Sequence, residues 1–249
     1  MCVIYVVEDH DQVLDLWRTQ QAQSLHVLHL DAHCDMRGLL IDRQNQRAFR
    51  IWDKKKTVDQ GNFLTHAILE GRVSSLRWVY SELGGRQNDV GTVKYESDIT
   101  ATPYRWLQAL RGDPGIPIHY ESLLDISWTD LMKDEYLDID WDFFASSVYP
   151  KESIQSRVDA FLKKEFHVVP GQIYICYSPD FSHPSRNQFQ RFVTDLSHLF
   201  KAQIVELQPC RDVTATQPCY RKFIPIPLFR VTRQIYYKTC LSLRKRGIY

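Results

Sequence analysis

The chain has 249 residues, 44% of them hydrophobic and 24% charged, the make-up of a folded globular protein and far from the hydrophobe-poor signature of disorder. Thirty-one Lys and Arg against thirty Asp and Glu leave a formal charge of +1, so no global field selects nucleic acid or an anionic membrane as partner. No stretch approaches the roughly 20 apolar residues of a membrane span, and the opening residues lack the basic segment of a signal peptide.

In chain order, residues 3–8 form a short β-branched apolar run, the pattern of a strand buried on both faces of a parallel sheet. Val13, Leu14, Leu16 and Trp17 recur at helical spacing within residues 11–23, and a second apolar run covers residues 25–30, so this opening reads as a βαβ unit. Residues 62–70 read as a helix stopped by Gly71, with a strand over 73–80. Strands are expected at 136–140, 173–177 and 203–207, with helices at 151–166 and 187–201. Residues 36–60 and 98–117 are irregular in pattern and read as loops over an active site. The tail from Gln208 carries four prolines before a helical-looking close at 232–245, and its Arg244-Lys245-Arg246 run reads as solvated. Alternation of strands and helices predicts a three-layer α/β/α fold with a largely parallel central sheet, in a single domain over residues 1–249. The six cysteines are scattered without CxxC pairs, which suits a cytoplasmic protein, and a Cys210–Cys219 pairing is disfavoured there.

In such a sheet ligands bind beyond the carboxyl ends of the strands. Three strand ends carry metal-ligating residue types: Glu8-Asp9-His10, Asp31-Ala32-His33-Cys34-Asp35 and Asp138-Ile139-Asp140-Trp141-Asp142. Residues two apart on an extended segment share a face, so Asp31, His33 and Asp35 can converge, as can Asp138 and Asp140. Carboxylates crowded at the end of a buried strand repel one another unless a cation holds them. A carboxylate-rich set with some imidazole favours Mn²⁺ over Zn²⁺, and two ions can share a water and lower its pKa. Singly, a DxH or a DxD motif is weak, the latter also marking Ca²⁺ loops; their combination after apolar runs is the specific signal. His10 reads equally as an exposed loop histidine. His26 and His29, inside a strand, are expected to pack or hydrogen-bond within the sheet, and Cys34 to point away from the site.

At these residues the chain resembles the arginase, agmatinase and histone-deacetylase superfamily, whose ureohydrolase branch carries a DAHxD motif and a later DxDxxD-like one. It is similar above all to an arginase-like family with an EDH motif near its N-terminus and a later DIDxDFF motif, matched by Glu8-Asp9-His10 and by Asp138 to Phe144. That family includes peptide arginases, which convert arginines of ribosomally made precursor peptides to ornithine. The resemblance covers roughly residues 1–180. It implies two Mn²⁺ ions held by His10, Asp31, His33, Asp35, Asp138 and Asp140, with Asp142 behind them, and an arginine-containing precursor peptide as partner. It also implies Asn62 as a substrate-binding residue and His66, in a Gly-Asn-Leu-His-like segment, as the acid that protonates the leaving amine. A carboxylate should grip the guanidinium; Asp180 fits by topology and Glu206 by local sequence. Arg37 stands where arginases place an asparagine that holds the free amino acid, which favours peptide-borne arginine over free arginine or agmatine. A zinc deacetylase of the same fold and a catalytically silent peptide-binding module are the competing readings.

Overall fold

A computed structural model describes residues 2–50, 57–80, 111–124, 131–146 and 150–207. The expected helix at 232–245, the proline-bearing tail and the Cys210–Cys219 question fall outside those residues. Among the described residues, ten strands and five helices follow in chain order: β1 (Val3–Val7), α1 (Asp11–Thr19), β2 (Leu25–Leu30), β3 (Leu39–Asp42), β4 (Arg47–Arg50), α2 (Phe63–Leu69), β5 (Val73–Tyr80), β6 (Ile116–Pro117), β7 (His119–Leu124), β8 (Glu135–Asp140), α3 (Asp142–Ala145), α4 (Ser153–Leu162), β9 (Gln172–Cys176), α5 (Arg186–Phe200) and β10 (Gln203–Glu206).

Seven strands form a central sheet in the order β10-β1-β9-β8-β2-β5-β7, every neighbouring pair parallel. Its side chains alternate between two cores. Leu28, Leu30, Leu137, Ile139, Ile173 and Ile175 face one, where Trp141, just before α3, and Phe144, Phe161 and Phe192 from α3, α4 and α5 close the layer. Leu25, Val27, Leu76, Trp78 and Tyr174 face the other, against Val13, Leu14 and Trp17 of α1 and Phe63, Leu64 and Ile68 of α2. Helices thus cover both faces, which is the three-layer α/β/α arrangement expected of a parallel sheet.

The opening β1-α1-β2 segment is parallel as expected, but β9 and β8 lie between its two strands. Strand adjacency is decided by where later strands insert, which local pattern does not encode. Helix α1 stops at Thr19, short of the expected residue 23, because Gln21 and Ser24 take left-handed conformations (φ 54° and 55°) that turn the chain into β2. Residues 36–60, read as a loop, contain the β3–β4 hairpin, which with β6 makes a small three-stranded sheet. Its strands are four residues long or shorter, too brief for the alternation to register as a pattern. Strand β7, parallel to β5 at the sheet edge, was likewise not anticipated.

Candidate metal centre

Four adjacent strands, β1, β9, β8 and β2, bring their carboxyl ends together in the middle of the sheet. His10 follows β1, Ser178 follows β9, Asp138 and Asp140 end β8 with Asp142 just beyond, and Asp31, His33 and Asp35 follow β2. Register fixes which of these meet. His29 of β2 is opposite Asp138 of β8, and the next pair, Leu30 with Ile139, leads to Asp31 at the level of Asp140. His29, Asp138 and Asp140 share the alternation of Val27 and Tyr136, so they face the α1 and α2 side.

His10 is fully buried at the centre. Its Nδ1 lies 3.1 Å from an oxygen of Asp35 and 3.3 Å from oxygens of both Asp31 and Asp140. Its Nε2 lies 3.1 and 3.2 Å from the two oxygens of Asp138. His29 Nδ1 is 2.8 Å from Asp138 Oδ2, and its Nε2 is 3.4 Å from Asp31 Oδ2. His33 Nδ1 is 2.7 Å from Asp142 Oδ2. Backbone amides fix the carboxylates from behind: His33 N donates to Asp31 Oδ1, Ala32 N to Asp142 Oδ1 and Asp142 N to Asp140 Oδ1, while Ser178 Oγ donates to Asp140 Oδ2 at 2.7 Å. The rings of Phe63 and His10 lie 4.5 Å apart, so α2 seals the cluster with an apolar wall.

Two of these residues hold unusual backbone. Asp35 and Ser178 have φ of 50° and 44°, in the left-handed region that costs a non-glycine residue free energy and concentrates at functional sites. The segment after β2 is therefore a turn, not the extended run that would put Asp31, His33 and Asp35 on one face. His33 is directed to Asp142 and Asp35 to His10 instead.

Electrostatics show the cost of assembling these groups. Burial, then the like charges of Asp142, Asp35 and Asp140, push the Asp31 carboxyl well up; burial and Asp142 push Asp140 up. Burial works against a charged His10, but the charge of Asp138 and contacts with Asp138, Asp140 and Asp31 outweigh it and raise the imidazole well above its ordinary value. Burial also opposes charge on Asp138 and Asp142, yet His10 and His29 hold the first below the usual carboxylate range and His33 the second. Among the described residues, four buried atoms of this cluster, His10 Nδ1, His29 Nε2, Asp31 Oδ2 and Asp142 Oδ2, make no hydrogen bond, although Asp142 Oδ2 is paired with His33 Nδ1 and His10 Nδ1 stands beside three carboxylates. A buried polar atom with neither hydrogen bond nor ion pair costs about 1–3 kcal/mol.

The donor set fits cations. Ligand atoms of His10, Asp31, Asp35 and Asp140 lie within 4.8 Å of one another, as do those of Asp31, His33 and Asp142, so Asp31 belongs to both groups. His10, His29 and Asp138 form a third such group, and His10, Asp140 and Cys176 a fourth. Asp142, expected behind the ligands, thus stands among them. His29, expected only to pack or hydrogen-bond in the sheet, makes its hydrogen bond to a candidate ligand. The second was within reach of the sequence: His29 is two residues before Asp31 on an extended strand, and so shares its face. Cys34 is buried with its sulfur accepting from Met36 N, and it is in none of these groups.

The remaining expected site residues are not drawn into these groups. Asn62 is buried, with Oδ1 accepting from Asp59 N and Nδ2 donating to Thr57 O, so its amide shapes the loop before α2. His66 sits on α2 with Nδ1 3.5 Å from Arg50; burial first, and then the Arg50 charge, lower its imidazole. Asp180 is half-buried in the turn that carries Ser178. Glu206 is exposed on β10, the sheet edge, with β1 and β9 between it and β8. Arg37 pairs with Asp59. No helix among the described residues is long and apolar enough to cross a membrane. No family model matches the chain, and no curated protein matches it.

Proposed function

We propose that this chain is a binuclear metal hydrolase of the arginase type that removes the guanidinium carbon of arginine residues in a peptide, leaving ornithine and releasing urea. The observation that carries the reading is the pair of buried donor groups that share Asp31, one with His10, Asp35 and Asp140 and the other with His33 and Asp142. Their carboxylate-rich make-up favours manganese. When bound, a divalent pair supplies Lewis-acid charge and draws a nucleophile from water at neutral pH.

In the proposed reaction water adds to the guanidinium carbon, the bond from that carbon to the side-chain nitrogen breaks, and urea departs. The nitrogen takes a proton and remains as the ornithine amine. Phe63 excludes bulk water from one side of the cluster, and Ser178 fixes the direction of Asp140 by its hydrogen bond. Asp180, on the same turn as Ser178, is the carboxylate proposed to grip the guanidinium, with Glu206 on β10 as the alternative. His66 is proposed to pass the proton. Its lowered pKa keeps it neutral near pH 7, so it acts as a shuttle that takes up a proton before giving it away. Arg37, held by Asp59 on the loop that ends in Gly61 and Asn62, stands where the resemblance implies an asparagine that holds the free amino acid, and its charge repels a free α-ammonium. That favours a substrate whose α-groups are already peptide bonds.

The test is to incubate the manganese-loaded protein separately with arginine, agmatine and an arginine-containing peptide, measuring urea and peptide mass. The reading predicts urea and a loss of about 42 Da per converted arginine from the peptide, consistent with hydrolytic removal of the guanidinium carbon. Urea from none of the three would overturn it, and urea from free arginine alone would overturn the peptide preference.

A further inference from the structure

Asp138 carries the sequence signature of a metal ligand, yet it stands on the wrong side of His10. The imidazole ring separates it from the other carboxylates: Nε2 faces Asp138 alone, while Nδ1 faces Asp31, Asp35 and Asp140. Two imidazoles converge on Asp138, His10 through Nε2 and His29 through Nδ1. A carboxylate only accepts, so both of those nitrogens carry protons. A neutral His10 protonated at Nε2 has its lone pair on Nδ1, the atom that lacks a hydrogen bond and lies amid three carboxylates. His29 comes to Asp138 by register, since the two are partners across β2 and β8, and all three residues are fully buried.

We propose that Asp138, steadied by His29, is a positioning residue and not an ion ligand: it fixes the His10 tautomer and aims Nδ1 at the cation position. The inference rests on the metal-centre reading above, whose donors are His10, Asp31, His33, Asp35, Asp140 and Asp142, and removes Asp138 from the ligand set that the sequence resemblance implied. Carboxylates that orient a ligating histidine in this way tune affinity without taking a coordination position. On its other side His29 Nε2 lies 3.4 Å from Asp31 Oδ2, with no hydrogen bond between them.

The test compares Asp138→Asn and Asp140→Asn with the unaltered protein, counting bound Mn²⁺ by elemental analysis and titrating affinity. Asp138→Asn is expected to keep the full number of ions with affinity weakened about 10–100-fold, whereas Asp140→Asn loses an ion. Nitrogen-15 spectra of histidine in the Zn²⁺-loaded protein supply a readout that a purely structural role would not move: His10 should show a protonated Nε2 and a zinc-shifted Nδ1. In Asp138→Asn the Nε2 proton should lose its protection from exchange, and His29→Asn should weaken that protection to a smaller degree. An Asp138→Asn protein that drops an ion as Asp140→Asn does, or an unprotonated Nε2 in the unaltered protein, would overturn the proposal. If the unaltered protein takes up no divalent ion, the hydrolase reading fails by itself. The protected Nε2 proton is then sought in the metal-free protein, where its absence overturns the anchor.

Discussion

On β5 and β8 the buried guanidinium of Arg77 is met by both oxygens of Glu135, at 2.7 and 2.6 Å, and Met132 N donates a further bond to the same carboxylate. A few residues along β8, five aspartates are drawn together with three histidines, and four of their buried polar atoms make no hydrogen bond. Both regions bury charge on neighbouring strands of one sheet. The first closes its own hydrogen bonds and pins β8 to β5 across β2. The second is held open by backbone amides that orient the carboxylates and by Phe63, which keeps water away. The ion pair is complete inside the chain, whereas the aspartate cluster is a donor set that could hold metal ions.

The comparison can be broken most severely at Asp31, the residue common to both donor groups. Asp31→Asn should lower hydrolysis on the order of a thousandfold or more, since several kcal/mol of barrier lowering by the ions is at stake. A kcat within tenfold of the unaltered protein would remove the cluster from the chemistry. At the other region, Arg77→Met leaves Glu135 charged and buried without its partner, and should cost about 3–5 kcal/mol of stability by denaturant titration, with bound metal unchanged. A loss under 1 kcal/mol would show that the pair does not pin the sheet.

The pH dependence of the metal-free protein sharpens the contrast. His10, Asp31 and Asp140 have values raised on folding, so the stability they contribute is present at low pH and is lost as pH rises through the folded values. Asp138 and Asp142 act oppositely, but their stabilisation is already complete above the unfolded carboxylate range. The melting temperature of metal-free protein should therefore fall as pH rises above about 4, and added Mn²⁺ should flatten that fall. A metal-free melting curve that is level between pH 5 and 9 would contradict it. The smallest structural effect belongs to Arg37, whose ion pair with Asp59 is partly exposed. Arg37→Asn should change stability by about 0–1 kcal/mol while shifting turnover toward free arginine, measured as the ratio of kcat/KM for the two substrates.

Much of this was legible in the sequence where one local rule applied over several residues. Apolar runs of β2, β5, β8 and β9 and the helical spacing of Val13, Leu14 and Trp17 declared the α/β class, and the strand-end rule pointed at the aspartate motifs. What the sequence did not carry was geometry beyond the strand ends. The rule that residues two apart share a face holds through Asp140 and fails at Asp142, where α3 begins and folds the carboxylate back over the strand. It fails again at Asp35, whose left-handed backbone turns it to His10. The separation of Asp138 from the other aspartates depends on His10 arriving from β1, a strand 128 residues away in sequence.

The most direct measurement is the number of divalent ions bound by the purified protein, determined with and without Asp142→Asn. The account predicts about two manganese ions per chain and one in the variant, because the donor group of Asp31, His33 and Asp142 is then broken while that of His10, Asp35 and Asp140 is intact. A single ion in the unaltered protein, retained in Asp142→Asn, would contradict it.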